Sequence, residues 1–193
     1  MVRAIPREGQ QVLATQASYI AGFFDGDGSI HFQFVRQRQY KFGFYIRASA
    51  SFSQATKARF GLEQLQTWIG GGYLRDRGTG MSDLIVTSRP ILLQLMELIE
   101  PYVVFKQEHV RRALELLPLI KPRMESTEFL RVVRLADAFS VLNYSKTKRV
   151  TAVEVERHLR SMDMLAPVTT SLVAHQGDGE CHNTPAPRNR VKV

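Results

Sequence analysis

The stretch Tyr19-Ile20-Ala21-Gly22-Phe23-Phe24-Asp25-Gly26-Asp27-Gly28-Ser29-Ile30 contains the change of period on which the fold turns. Its first half is apolar, and Thr15 or Ser18 can cap a helix leading into it. Gly26 and Gly28 then break that helix. From Ile30 the pattern alternates strictly: Ile30, Phe32 and Phe34 point one way, and His31, Gln33, Val35 and Gln37 the other. After Gln39-Tyr40-Lys41 the alternation resumes. Phe44, Ile46, Ala48, Ala50 and Phe52 face in; Tyr45, Arg47, Ser49, Ser51 and Ser53 face out. Period two over this length predicts two half-buried strands joined as a hairpin.

Beyond the hairpin, Thr56 to Ile69 reads as an amphipathic helix with Phe60, Leu65, Trp68 and Ile69 on its apolar side, ended by Gly70-Gly71-Gly72. Two short strands follow, Tyr73–Arg77 and Asp83–Thr87, around a Gly78-Thr79-Gly80 turn. Ser88 then caps a helix with Pro90 in its first turn, and Pro101 stops it. Lys106–Leu117, Thr127–Asn143 and Val153–Met162 read as further helices. The fold class is therefore α+β. Four antiparallel strands carry helices on one face and leave the other open. The expected organisation is an N-terminal arm over 1–14, one domain over 15–163, and a flexible tail over 164–193 that is poor in aromatics.

Composition narrows the function. The chain has 193 residues, one cysteine (Cys181), and no apolar run near the roughly 18 residues of a membrane span. A Cys-rich metal module, an intrachain disulfide and a secretory leader are not expected. Twenty-six Lys and Arg oppose eighteen Asp and Glu, a net charge of +8. The balance is uneven along the chain. Between Ser29 and Leu62 lie Arg36, Arg38, Lys41, Arg47, Lys57 and Arg59, and no acid. The outward strand face is thus basic and rich in hydrogen-bonding groups, as a nucleic-acid interface requires.

Two carboxylates set off by glycines, Asp25 and Asp27, suggest a hard-cation site. An EF-hand is excluded: with Asp25 at loop position one, Ile30 occupies the glycine position and Arg36 the bidentate glutamate position. A second Gly-Asp-Gly at 177–179 has no apolar helix before it and reads as tail. A carboxylate at a helix C-terminus is opposed by the macrodipole by about 0.3–1 kcal/mol. Something must offset it, and a divalent cation would. Gly22 and Gly26, with Ala21 alongside, make a flat stripe on which a second helix can approach closely. From the residues alone the chain is a basic α+β nucleic-acid binder with a candidate divalent-metal site.

The segment Tyr19 to Ile30 resembles the signature of the LAGLIDADG homing endonucleases, above all the single-motif members from organellar introns. The resemblance continues through Gly72-Tyr73-Leu74-Arg75-Asp76-Arg77-Gly78, Lys106-Gln107 and Leu142-Asn143-Tyr144-Ser145-Lys146-Thr147-Lys148. It implies an αββαββα core with a saddle-shaped sheet on double-stranded DNA. It also implies a homodimer joined through the signature helices (Ala21, Gly22, Asp25), acting on a pseudopalindromic site, and an organellar setting. On that resemblance Asp27 is the metal-binding carboxylate, assisted by the Gly26 carbonyl. Gln54 organises water and metal, and Lys106 contacts water or the transition state. The implied cofactor is Mg²⁺, with Mn²⁺ substituting and Ca²⁺ binding without supporting cleavage. Ala58 stands where a basic residue is common, with Arg59 next to it.

Strand parity and the resemblance together assign DNA contacts to His31, Gln33, Val35, Gln37, Gln39, Tyr40, Tyr45, Arg47, Ser51, Arg75, Arg77, Asp83 and Ile85, since Arg pairs with guanine and Gln with adenine. Lys146 and Lys148 are expected on phosphates. Two other functions use the same scaffold: an RNA-binding maturase without nuclease activity, and a DNA-binding regulator that never cuts. Neither needs a carboxylate beside a phosphate.

Overall fold

The computed structural model describes residues 14–143 and 150–165. The expected contacts Lys146 and Lys148, most of the N-terminal arm and most of the tail lie outside these residues. Helix α1 runs Ala14–Asp27, and strands β1 (Gly28–Arg36) and β2 (Phe44–Ala55) form the hairpin. A single 3₁₀ turn, Thr56–Ala58, leads into α2 (Arg59–Ile69). Next come β3 (Tyr73–Arg77), β4 (Met81–Val86), α3 (Arg89–Ile99), α4 (Gln107–Leu116), α5 (Ser126–Phe139) and α6 (Ala152–Ser161). The four strands make one antiparallel sheet in the order β1-β2-β4-β3.

Alternation sets the layers. Ile30, Phe32, Phe34, Phe44, Ile46, Ala48, Ala50 and Phe52 are buried, while Gln33, Tyr45, Arg47 and Ser51 remain at least partly open on the other face. One core forms between the inner face and the helices, with Phe24, Phe52, Leu92, Leu95 and Phe139 at its centre. The passage from α1 into β1 depends on Gly28. A Cβ there would lie 2.6 Å from the Phe24 Cα and 2.7 Å from its carbonyl oxygen, so only glycine fits.

Two local expectations are corrected. Phe60 is 75% exposed rather than on the apolar side of α2, whose buried residues are Leu62, Leu65 and Ile69. Phe60 stands two residues before Leu62, about 200° round the helix, and so on the face opposite Leu62, Leu65 and Ile69. Ser88 holds the N-cap position of α3 without a side-chain capping bond.

Candidate nuclease site and nucleic-acid face

The two signature carboxylates separate sharply. Asp25 is fully engaged: its Oδ2 accepts the backbone N–H groups of Val104 (2.6 Å) and Phe105 (3.2 Å), and its Oδ1 that of Lys106 (2.9 Å). Asp27, the last residue of α1, is exposed and accepts no hydrogen bond among the described residues. One acid fixes the loop before α4; the other is left open to a ligand.

Lys106 sits against the C-terminus of α1. Its Nζ donates to the carbonyls of Phe24 (2.8 Å), Asp25 (2.9 Å) and Gly28 (2.7 Å), with a longer approach to that of Gly26 (3.4 Å). Burial pushes its pKa below the ordinary lysine value, against the opposing pull of Asp25 and Asp27. An ammonium satisfying the last carbonyls of a helix also offsets the macrodipole. The compensation expected from a divalent cation is therefore supplied within the chain, and the helix end alone no longer argues for metal. An ammonium has three hydrogens, and Lys106 spends them on three short bonds. Its first role is to hold the backbone that carries Asp27.

Gln54 arrives by strand register. Gly28 pairs with Phe52, so the end of α1 and residues 53–54 lie at the same end of the sheet. Gln54 is half-buried, and its Oε1 accepts the Ala55 N–H at 2.9 Å. Arg59 does not stand in for the missing basic residue at Ala58, because Asp76 and Glu63 hold its guanidinium.

The outward face is organised by cross-strand pairs. Gln33 lies opposite Arg47 and accepts its guanidinium at 2.7 Å. Ser29 lies opposite Ser51 with hydroxyls 2.9 Å apart, and His31 Nε2 is 3.0 Å from the Ser29 hydroxyl. Val35 lies opposite Tyr45, and Gln37 donates to Gln39 at 3.3 Å. Tyr40 and Tyr45 stack with centroids 4.8 Å apart.

At the other side of the sheet, Asp83 is opposite both Ser53 and Arg75. It accepts Ser53 at 2.8 Å and Arg75 at 2.8 Å, and both ends of the Arg77 guanidinium. Burial alone would raise the Asp83 pKa, but the hydrogen bonds from Arg77, Arg75 and Ser53 win and bring it to about 2.

Four sequence expectations change. Asp83 is 0% exposed and so braces Arg75 and Arg77 instead of offering itself to DNA. Ile85 is buried at 8% exposure. Ala21 is buried in the core of its own chain and does not line the helix stripe. That stripe is Ser18, Gly22 and Gly26, all exposed; Asp25 beside it is occupied by the 104–106 backbone. Sequence reasoning missed Ser29 and Ser53, which organise the face. Their shared parity with the other outward residues was the available signal.

Asp27 and the Gly26 carbonyl form an all-oxygen donor pair suited to a hard cation. Among the described residues no three His, Cys, Asp or Glu side chains gather into a metal cluster. One chain thus offers a partial donor set that a second carboxylate and a phosphate would complete.

An antiparallel sheet with one polar face, preceded by a helix that ends on an exposed carboxylate, fits the LAGLIDADG endonucleases, whose family model matches residues 20–111. The chain belongs to this family. It is 34% identical to the DNA endonuclease I-CreI of Chlamydomonas reinhardtii over 145 residues, 75% of this chain and 88% of that protein. It is 27% identical to the DNA endonuclease I-CvuI of Chlorella vulgaris over 145 residues, 75% and 90% of the two chains. The crystal structure of I-CvuI in complex with its target, in the presence of calcium, superposes with a TM-score of 0.75 at 25% identity, covering 79% of this chain and 98% of that one. A second I-CvuI complex, with the I-CreI target in magnesium and the DNA uncleaved, aligns with the same TM-score at 26% identity.

Proposed function

We propose that the chain is a site-specific DNA endonuclease that works as a homodimer on a long pseudopalindromic duplex, makes a metal-dependent double-strand break and promotes intron homing. The observation that carries this is Asp27: an exposed carboxylate that accepts no hydrogen bond among the described residues, at the end of a glycine-bearing helix and beside a basic sheet. The related crystal structures, which are DNA complexes formed with calcium or magnesium, support the substrate and the cofactor class.

Dimerisation is supported by α1 itself. A Cβ added to Gly22 or Gly26 would meet no atom within 4 Å. Nothing described inside the chain requires glycine there, although each interior helical glycine costs roughly 0.5–1 kcal/mol. A second helix approaching closely supplies the reason. Tyr19 (56% exposed) on the helix and Phe105 (85%) in the adjoining loop add apolar surface that such an approach would cover. Two copies of the stripe related by a two-fold axis would bring two Asp27 carboxylates together, matching the symmetry of a palindromic site.

In the cleavage reaction Asp27 and the Gly26 carbonyl would hold Mg²⁺. Bound there, the ion lowers the pKa of a water and neutralises charge on the phosphate. Lys106 fixes the backbone of Asp27 and adds a positive charge near the scissile phosphate. Gln54 presents an amide to the attacking water. Arg47, Arg75, Arg77 and Gln33 read base edges, and their cross-strand bonds hold the side chains in place before DNA arrives. An organellar setting accompanies the intron-homing reading, and locating the gene tests it.

The test is cleavage of a randomised pseudopalindromic library in Mg²⁺ and in Ca²⁺. Cutting of one long site in Mg²⁺ alone supports the proposal. Tight binding without cutting under any divalent metal overturns it in favour of a regulator, and preference for structured RNA overturns it in favour of a maturase.

A further inference from the structure

Beside the β1–β2 hairpin the surface opens into a groove of about 800 Å³, away from Asp27. One wall is the hairpin from Tyr40 to Ile46, and another is the segment 120–125 between α4 and α5. The groove exists because β4 pairs with β2 only from Ala50 to Ala55. Residues 44–49 of β2 therefore have no strand on that side. Its floor is apolar and closed by the stacked rings of Phe42 and Phe129, 4.5 Å between centroids.

The rim is basic. Lys41, Arg89, Lys121 and Arg123 line the groove together with Glu125 and Glu128. Both acids are taken: Glu125 by Lys41 at 3.8 Å and Glu128 by Lys121 at 3.2 Å. Arg89 and Arg123 have no acidic partner among the described residues. Two guanidiniums on one groove leave a positive field that nothing described in the chain neutralises, and guanidinium is the side chain suited to bidentate phosphate binding. The groove also joins the nucleic-acid face directly, since Tyr40 and Tyr45 belong to both.

We propose that this groove holds the phosphate backbone of duplex DNA outside the base pairs read by the sheet. Arg89 and Arg123 would bind phosphates, and the Tyr40–Tyr45 stack would lie against the sugar edge. The inference rests on the DNA reading above and extends it: the footprint of each protomer continues past the hairpin, through groups that are blind to sequence.

Binding to mixed-sequence duplexes of two lengths tests this, one long and one trimmed to the span of the sheets, across a salt series. For every phosphate that a variant no longer neutralises, the slope of log K against log salt falls by about 0.9. The Arg89→Ala/Arg123→Ala double variant removes four such contacts per homodimer and should therefore give a slope shallower by about 3.6 on the long duplex and unchanged on the short one. Arg89→Lys/Arg123→Lys should restore most of it, which separates removal of the charges from misfolding. An unchanged slope on the long duplex overturns the groove assignment while leaving DNA binding intact. So does an equal fall on both duplexes, which would place the arginines inside the sheet footprint. Retention of a polyglutamate peptide by the wild type alone, with DNA binding unaltered, overturns it in favour of an acidic protein partner. Failure of the wild type to bind either duplex removes the DNA reading and this inference together.

Discussion

Asp25 and Lys106 hold each other twice. The Asp25 carboxylate accepts the Lys106 backbone N–H at 2.9 Å, and the Lys106 ammonium donates back to the Asp25 carbonyl at 2.9 Å. This reciprocal pair ties the end of α1 to the start of α4. Asp25→Ala leaves three backbone N–H groups without their acceptor. Hydrogen bonds to charged groups are worth about 1.5–3 kcal/mol each, and those to exposed groups less. The expected loss is about 2–3 kcal/mol in urea unfolding, with cleavage falling further than stability because Asp27 loses its fixed backbone. Asp25→Asn should recover part of both.

Asp83 carries a pH signature. Its folded pKa of about 2 lies below its ordinary value of 3.8. A depressed carboxylate contributes stability above the unfolded pKa, and that contribution disappears as pH falls through the folded one. The wild type should lose about 2 kcal/mol from this group between about pH 4 and pH 2. Asp83→Asn should lack that share of the acid transition when melts are compared across the range. On DNA the same variant should blunt base preference only at the positions read by Arg75 and Arg77, since its effect passes through those two side chains.

The glycine stripe gives a test of assembly. Gly22→Leu points a side chain into open space within one chain, so the fold should persist by circular dichroism. Sedimentation should show a monomer, and double-strand cutting should vanish. A Gly22→Leu dimer with full activity would place the interface elsewhere.

Arg75→Ala and Arg36→Ala should differ in kind. Arg75 is braced by the buried Asp83 on the outward face of the sheet, whereas Arg36, at the end of β1, pairs with Glu154 on α6 at 3.6 Å. Removing Arg75 should relax base specificity by about 1–3 kcal/mol at one position. Removing Arg36 should leave the base profile unchanged. A library selection on each variant reads both.

Much of the fold is legible in the sequence because period two is hard to mistake: the inner row from Ile30 to Phe52 and the outer row from His31 to Ser53 both lie where alternation places them. The helix after the hairpin is legible in extent but not in phase, since Phe60 stands two residues from Leu62 and so on the face opposite Leu62, Leu65 and Ile69. At the site, residue types are readable and partners are not. Asp25 and Asp27 look alike in sequence. Only the fold brings the amides of 104–106, some eighty positions away, onto one of them. Asp83 shares the parity of a DNA-facing residue, but the pairing of β4 with both β2 and β3 buries it under its neighbours. The helix dipole shows in the sequence that an offset is required, but its source, Lys106, lies far along the chain.

The most direct measurement compares wild type with Asp27→Asn on the duplex selected from the library, scoring binding and cutting separately in Mg²⁺. The variant should bind the duplex as tightly as the wild type or tighter, because a negative charge near phosphate is gone. Cutting should fall by at least about a thousandfold, the scale of removing a central electrostatic group. An Asp27→Asn variant that still cuts at the wild-type rate would contradict the assignment, and would move the catalytic centre away from the end of α1.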